Sequence, residues 1–336
     1  MKRRPALFAA LALVIASAAA LILTFTLEKS APSGVNDEIT YDKTEESAGS
    51  GRPGKDLNGM KKARVFVLAG QSNAVGVGHA EYLSGHFGRD EIKKWREGFE
   101  NVKLIYVSHN IRSSGFVPTK IGCAEFGRDT FGPEVGVADL LDERYPGQTF
   151  FIVKCAFGGM SLFRDWLSPS GGPGLYDPDS RYEDGFLTGG ERSYGWCYNE
   201  LAELLKKSFE TLESEGYKPE IEAFFWMQGE TDAVVGRVDG YIELYDALLK
   251  DLANEFPGYF DGCVYVDAGI SEVWENYEKI NEAKRIYAAQ SSDRRFIDTI
   301  GAGLTTKNEP RDVPDIAHYD SDSVIKLGRL FAEYAF

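Results

Sequence analysis

Val65-Phe66-Val67-Leu68-Ala69-Gly70-Gln71-Ser72-Asn73 is the stretch that decides the fold of this chain. Its first five residues are all apolar, with two valines and a phenylalanine among them, as in a strand buried on both faces. The run then stops abruptly in a glycine, an amide, a serine and a second amide. A buried strand that ends this way can hold a serine hydroxyl at the exposed end of a sheet, and strand-to-helix turns of this kind carry nucleophiles. A polar tract comes before it, so this strand is the first of its domain.

Further runs of the same type follow at residues 102–107, 149–155, 221–227, 263–268 and 295–298. Helical periodicity lies between them. Leu201, Leu204, Leu205 and Leu212 share one face, closed by Gly216. Tyr241, Leu244, Tyr245, Leu248 and Leu252 share another, and Val137, Leu140 and Leu141 make a shorter one before Pro146-Gly147. This alternation predicts an α/β fold, a three-layer α/β/α sandwich on a mostly parallel sheet. Active sites in such sheets gather beyond the carboxyl ends of the strands. Three predicted strand ends carry chemistry: Gly70-Gln71-Ser72-Asn73, Ala156-Phe157-Gly158-Gly159 and Gln228-Gly229-Glu230-Thr231-Asp232. The topology predicts that they meet, and that residues 315–318 reach the same rim just before a last helix over 323–334, capped by Ser321 or Asp322.

The 336 residues are 43% hydrophobic and 26% charged, ordinary globular values that allow a sizeable core. With 37 basic and 52 acidic residues the net charge is −15, which argues against nucleic acid as a partner, since phosphate binding needs clustered Lys and Arg. Lys2, Arg3 and Arg4 precede an apolar stretch from Ala6 to Leu27, close to the roughly 20 residues that cross a bilayer. Residues 1–28 therefore read as a signal anchor, in preference to a cleaved signal peptide, with the basic flank in the cytoplasm. Residues 29–60, rich in Ser, Gly, Glu, Asp and Lys, read as a disordered linker, and residues 61–336 as one catalytic domain. The expected location is extracytoplasmic, either tethered to the membrane through the N-terminal segment alone or secreted.

Four cysteines are too few for a disulfide scaffold. Cys155 and Cys263 fall in strand-like runs and read as buried thiols; Cys123 and Cys197 fall in loop-like segments, where pairing stays open. No Cys-x-x-Cys occurs, so neither zinc nor another cofactor is expected.

A serine hydroxyl needs a base. Of the four histidines, His79 is expected in the helix after Ser72, and His86 and His109 lack an acidic partner at turn spacing. His318 has Asp315 three residues before it, a spacing at which a carboxylate can face the imidazole and fix its tautomer. Gly158-Gly159 offers unobstructed backbone N–H groups that, with the Ser72 N–H, could form an oxyanion hole. Gln228 and Glu230 are polar groups at a buried strand end and need partners, so capping is their alternative role. Phe131-Gly132-Pro133-Glu134 reads as a simple helix start, with Glu134 favourable to the dipole. The aromatic residues between Phe163 and Trp196 suit either stacking on sugar rings or a small local core.

Together, Gly70-Gln71-Ser72-Asn73, Phe131-Gly132-Pro133-Glu134, Gly158-Gly159, Trp226-Met227-Gln228-Gly229-Glu230-Thr231-Asp232 and Asp315-x-x-His318 resemble the SGNH-type hydrolases of carbohydrate esterase family 6, from about Arg64 to the C-terminus. That group includes the sialic-acid-specific acetylesterase domain and many acetylxylan esterases. The resemblance implies a flavodoxin-like sheet, a metal-free acyl-serine mechanism and removal of O-acetyl groups from carbohydrate, acetylxylan or a related glycan first. Sialate O-acetylesterase activity and a non-catalytic glycan-binding module are the alternatives. Ser72 would be the nucleophile, His318 the base and Asp315 the orienting acid, with the Ser72 and Gly159 amides and the Gln228 side chain as oxyanion donors. Gln71 and Asn73 would lie at the substrate. The resemblance also implies a rival acid, since parts of the family use the glutamate of Gln-Gly-Glu, so Glu230 competes with Asp315; many relatives also have Met where this chain has Ala74.

Overall fold

A computed structural model describes residues 59–172, 181–183, 191–309 and 315–336. The expected anchor at 1–28 and all but the last two residues of the linker at 29–60 lie outside the described residues. Gly59–Phe336 is one compact unit.

The six apolar runs form strands where they were expected, and a short edge strand joins them. In chain order these are β1 (Lys61–Gly70), β2 (Phe99–Val107), β3 (Val117–Thr119), β4 (Phe150–Ala156), β5 (Tyr217–Met227), β6 (Val264–Ala268) and β7 (Arg294–Ile297). They make one sheet in the order β7-β6-β5-β1-β4-β2-β3. All neighbours are parallel except β3, which runs antiparallel to β2. β3 is three residues long and contains Pro118. Proline is tolerated there because an edge strand need not donate every N–H, and so short a strand leaves no periodic signal.

Taken alone, β1, β4, β5, β6 and β7 follow the flavodoxin-like order, roughly 2-1-3-4-5. β2 and β3 extend that sheet beyond β4. In this order the chain crosses over β1 between β4 and β5. The crevice past the carboxyl ends of β1 and β5 is therefore the switch point at which such sheets bind ligands.

β5 shows how the three layers form. Successive side chains of a strand point to opposite faces. Phe225 stacks on Phe331 of α8 (Ser321–Tyr334), with ring centroids 5.0 Å apart. Its neighbour Trp226 faces the other way, stacking at 5.3 Å on Tyr245 of α6 (Tyr241–Glu255). The remaining helices are α1 (Ser72–Val75), α2 (Arg89–Glu97), α3 (Pro133–Arg144), α4 (Trp196–Ser214), α5 (Glu230–Val234) and α7 (Tyr277–Ala288). α4 buries Leu201, Leu204, Leu205 and Leu212 as their spacing requires. On α6, Leu244 is half-buried and Leu249 joins the core. α3 and α8 approach so closely that a Cβ on Gly136 would lie 2.1 Å from the Ile325 carbonyl oxygen, and one on Gly328 2.0 Å from that of Pro133. Glycine on both helices is what permits this contact.

α8 begins at Ser321, two residues before the expected start, and its N-cap is Asp320. The Asp320 carboxylate accepts instead from Thr305 Oγ1 and from the Lys307 and Asn308 N–H groups, at 2.5, 3.0 and 3.0 Å. All four cysteines are buried and free, and Cys197 lies in the first turn of α4 rather than in a loop.

Candidate active site

β1 ends at Gly70, where φ is +144° and a Cβ would lie 1.9 Å from the Met227 carbonyl oxygen. Only glycine can let the two strand ends approach this closely. The Gln71 N–H donates to that same oxygen at 2.9 Å, the chain turns, and Ser72 opens α1. α1 lasts four residues because Gly76, at φ +93°, ends it. His79 therefore lies on the two-residue strand Gly78–His79 and not in a helix after Ser72. Lys154 of β4 fastens α1 from beneath, donating to the Val75 carbonyl at 2.6 Å and to Glu134 at 2.7 Å. Glu134 is thus more than a simple helix start. It is fully buried in this ion pair, and its other oxygen accepts the Gly132 N–H at 2.9 Å.

The turn after β4 flanks Ser72: a Cβ on Gly158 would lie 3.7 Å from Ser72 Cβ. Gly159 adopts the left-handed conformation, φ +75°. The Phe157 N–H donates to the Gly70 carbonyl at 3.1 Å and so ties this turn to the end of β1.

His318 and Asp315 meet as their spacing predicts, with Nδ1 and Oδ2 2.8 Å apart and both side chains half-buried. Their segment is joined to the serine turn next door, because the Tyr319 N–H donates to Asn73 Oδ1 at 3.0 Å. Asn73 Nδ2 donates to Glu230 Oε1 at 2.8 Å. Ser72, Gly158, Glu230 and His318 thereby come to one rim, as the topology required.

Glu230 is buried, and its Oε2 has no hydrogen-bond partner among the described residues. Burial raises its carboxyl above the usual range, opposed by the Asn73 bond. Gln228 is fully buried as well. Its Nε2 faces Asp232 Oδ2, the Met160 carbonyl and Gln71 Oε1 at 2.5, 3.2 and 3.3 Å, while its Oε1 accepts from the Tyr241 hydroxyl at 2.8 Å. Gln71 Oε1 also accepts the Thr231 N–H at 3.2 Å. The side chains of Gln71, Asn73 and Gln228, expected at the substrate, thus bond to protein partners in the layer beneath Ser72. A buried amide must satisfy its donors and acceptors, and at packed strand ends the nearest partners are other strand ends.

Two buried carboxylates complete this layer. Asp232 accepts the N–H groups of Leu162 and Phe163 at 2.9 and 3.3 Å. Lys284 donates to Asp267 Oδ1, the Gln228 carbonyl and the Ala268 carbonyl at 2.7, 2.6 and 2.8 Å. Burial pushes the carboxyls of Asp232 and Asp267 each up to about 6.

Sequence reasoning set His109 aside for want of an acidic partner, yet its Nε2 lies 3.1 Å from the Gly158 carbonyl oxygen. Its one legible signal is its place two residues past the carboxyl end of β2. Part of the aromatic segment makes a local core: Trp166 packs edge-on to Trp226 at 5.2 Å, and Phe157 meets Trp196 at 4.4 Å. Tyr176 and the Tyr182 side chain lie outside the described residues. Among the described residues no cluster of three or more His, Cys, Asp and Glu side chains is arranged to hold a metal.

A serine turn, a His–Asp pair and a glycine turn at the switch point of a parallel sheet are what an α/β esterase requires. The family model described as carbohydrate esterase, sialic acid-specific acetylesterase, matches residues 62–336, and the chain belongs to that family. It is therefore a carbohydrate-directed acetylesterase. Among solved structures, a protein from Arabidopsis thaliana is 18% identical, with 82% of this chain and 98% of that one aligned at a TM-score of 0.55. NanS is 13% identical over 82% of this chain and 97% of its own, at 0.56. A carbohydrate acetylesterase from Xanthomonas citri is 15% identical over 81% of this chain and 55% of its own, at 0.51. At these identities the likeness is one of fold. No curated protein matches the chain in sequence.

Proposed function

We propose that this esterase removes O-acetyl groups from sugars through an acyl-serine intermediate. The observation that carries the reading is the 2.8 Å contact of His318 Nδ1 with Asp315 Oδ2, on a segment bonded to the residue beside Ser72. Asp315 accepts a hydrogen bond from Nδ1–H, which keeps that proton on Nδ1 and leaves the Nε2 lone pair as the base. Ser72 Oγ attacks the acetyl carbonyl as His318 takes its proton, and the tetrahedral oxyanion receives the backbone N–H groups of Ser72 and Gly159. As the intermediate collapses, His318 gives that proton to the departing sugar oxygen, which leaves as a hydroxyl. Water then attacks the acetyl-serine by the same route, releasing acetate. Gln71, Asn73 and Gln228 serve by holding these turns in register.

The substrate is an O-acetylated glycan outside the cytoplasm, and Ala6–Leu27, behind Lys2-Arg3-Arg4, is the proposed tether to the membrane. Acetate release from acetylated sialic acid and from acetylated xylan, compared on the full chain, identifies the sugar. Hydrolysis of p-nitrophenyl acetate tests the chemistry. Ser72→Ala is expected to lower kcat by about 10⁴–10⁶ with the fold intact. Folded wild-type protein that releases acetate from none of these substrates would instead be a glycan-binding module.

A further inference from the structure

The turn that supplies the Gly159 N–H carries a second set of contacts on its far side. Gly158 O and the Gly159 N–H belong to one planar peptide unit, in which the carbonyl and the N–H point in opposite directions. Whatever grips that carbonyl therefore aims that N–H. His109 Nε2 is the group within reach, at 3.1 Å. The imidazole is itself held. Its ring packs edge-on to Phe157 at 5.4 Å and tilted against Trp196 at 6.0 Å. Arg192 Nη2 lies 3.4 Å from His109 Nδ1, and the same guanidinium sits 3.9 Å over the Trp196 ring.

These contacts also select the tautomer. A guanidinium only donates, so Nδ1 facing Arg192 must carry the lone pair, and the ring proton must reside on Nε2. That proton points at the Gly158 carbonyl. A hydrogen bond to a carbonyl polarises its whole peptide and strengthens the attached N–H as a donor.

We propose that His109 is a positioning residue for the acetylesterase reaction: its Nε2–H, in the tautomer selected by Arg192, fixes and polarises the Gly158–Gly159 peptide that donates to the oxyanion. The proposal rests on the assignment of the Gly159 N–H to the oxyanion hole. It gives the second histidine at this rim a role distinct from that of His318, since His109 exchanges no proton with substrate.

Three variants of the full chain test it with p-nitrophenyl acetate: His109→Phe, which keeps a ring between Phe157 and Trp196 without a donor, His109→Gln, which retains an N–H, and Ser72→Ala. With His109→Phe, kcat is expected to fall about 10–100-fold while KM stays within about threefold, because the lost interaction acts in the transition state. Methylboronic acid, which forms a tetrahedral adduct on the serine, should bind more weakly by a similar factor, while inhibition by acetate should not change. His109→Gln should recover most of kcat. His109→Phe with wild-type kcat and wild-type boronate affinity overturns the proposal, as does a folded His109→Gln no faster than His109→Phe. Should His109→Phe fail to fold, His109→Asn, too short to reach Gly158 O, takes its place with the same expectations. Ser72→Ala separates the two levels: a wild-type rate there removes the underlying reading, whereas an inactive Ser72→Ala beside a fully active His109→Phe removes the role of His109 alone.

Discussion

The Tyr319 N–H donates to Asn73 Oδ1 at 3.0 Å across 246 residues of sequence, and both groups are buried. This one bond holds the residue after His318 to the residue after Ser72. Asn73 Nδ2 extends the link to Glu230, so a single amide joins the serine turn, the histidine segment and the end of β5. We expect the register between proposed nucleophile and base to depend on it.

Asn73→Ala removes both bonds and leaves the Tyr319 N–H and Glu230 Oε1 buried without partners. We expect a loss of about 2–4 kcal/mol in folding free energy, the penalty for two orphaned polar groups. A fall of roughly 10²-fold in kcat should accompany it, because a small displacement of the base misaligns proton transfer. Urea denaturation and steady-state kinetics on the same preparation give both values. Wild-type kcat in the substituted enzyme would show that the link is structural alone.

Asp315 and Glu230 should be unequal. Asp315 touches the imidazole at 2.8 Å, whereas the hydrogen bond of Glu230 goes to Asn73 at the same length. Asp315→Asn is expected to cost on the order of 10⁴ in kcat by favouring the wrong tautomer. Glu230→Gln should lower kcat about 10–100-fold by shifting Asn73. Comparing kcat for the two variants decides the matter, and a near-normal Asp315→Asn beside a dead Glu230→Gln would reverse the roles.

Lys284→Met should destabilise the protein in a pH-dependent way. Lys284 is fully buried against Asp267, whose carboxyl burial already raises to about 6. A carboxyl raised in the folded state contributes stability that is fully present below its unfolded value, 3.8, and lost as pH rises through about 6. Without the ammonium, which holds that carboxyl down, the folded-state value climbs further. The loss relative to wild type is therefore expected to be about 3–5 kcal/mol near pH 8. It should shrink toward pH 5, where Asp267 takes up a proton. Urea midpoints at the two pH values measure this, and an equal loss at both would show that the pair's charge is irrelevant.

Gly70→Ala should disrupt the rim without touching any reacting group. Its methyl would lie 1.9 Å from the Met227 carbonyl oxygen, on backbone at φ +144°. We expect at least about 3 kcal/mol of destabilisation. Thermal unfolding of the variant measures it, and a wild-type melting temperature would mean that β1 and β5 can separate freely.

Much of this protein is legible in its sequence. Unbroken apolar runs such as Phe224-Phe225-Trp226-Met227 mark strands covered on both faces, because an unpartnered polar side chain is costly there, and their alternation with amphipathic helices dictates a parallel three-layer sheet. The pairing of Asp315 with His318 is legible too, since three residues on one turn bring two side chains together whatever the rest of the chain does.

Contacts between segments far apart in sequence were decided by the tertiary structure. Gln71, Asn73 and Gln228 look like residues aimed at a substrate, yet Gln228 donates to Gln71 and Asn73 links Glu230 to the Tyr319 N–H, because a buried amide must find partners and the fold supplies them there. Glu134 reads as a helix start and is the buried partner of Lys154. His109 has no acidic residue at turn spacing, and its place became visible once β2 and β4 lay side by side and put it against the Gly158 carbonyl. Periodicity and turn spacing are local properties and survive in a linear string. The pairing of buried polar groups across a sheet depends on which strands become neighbours, and in this chain that was settled by the packing of β1 between β4 and β5.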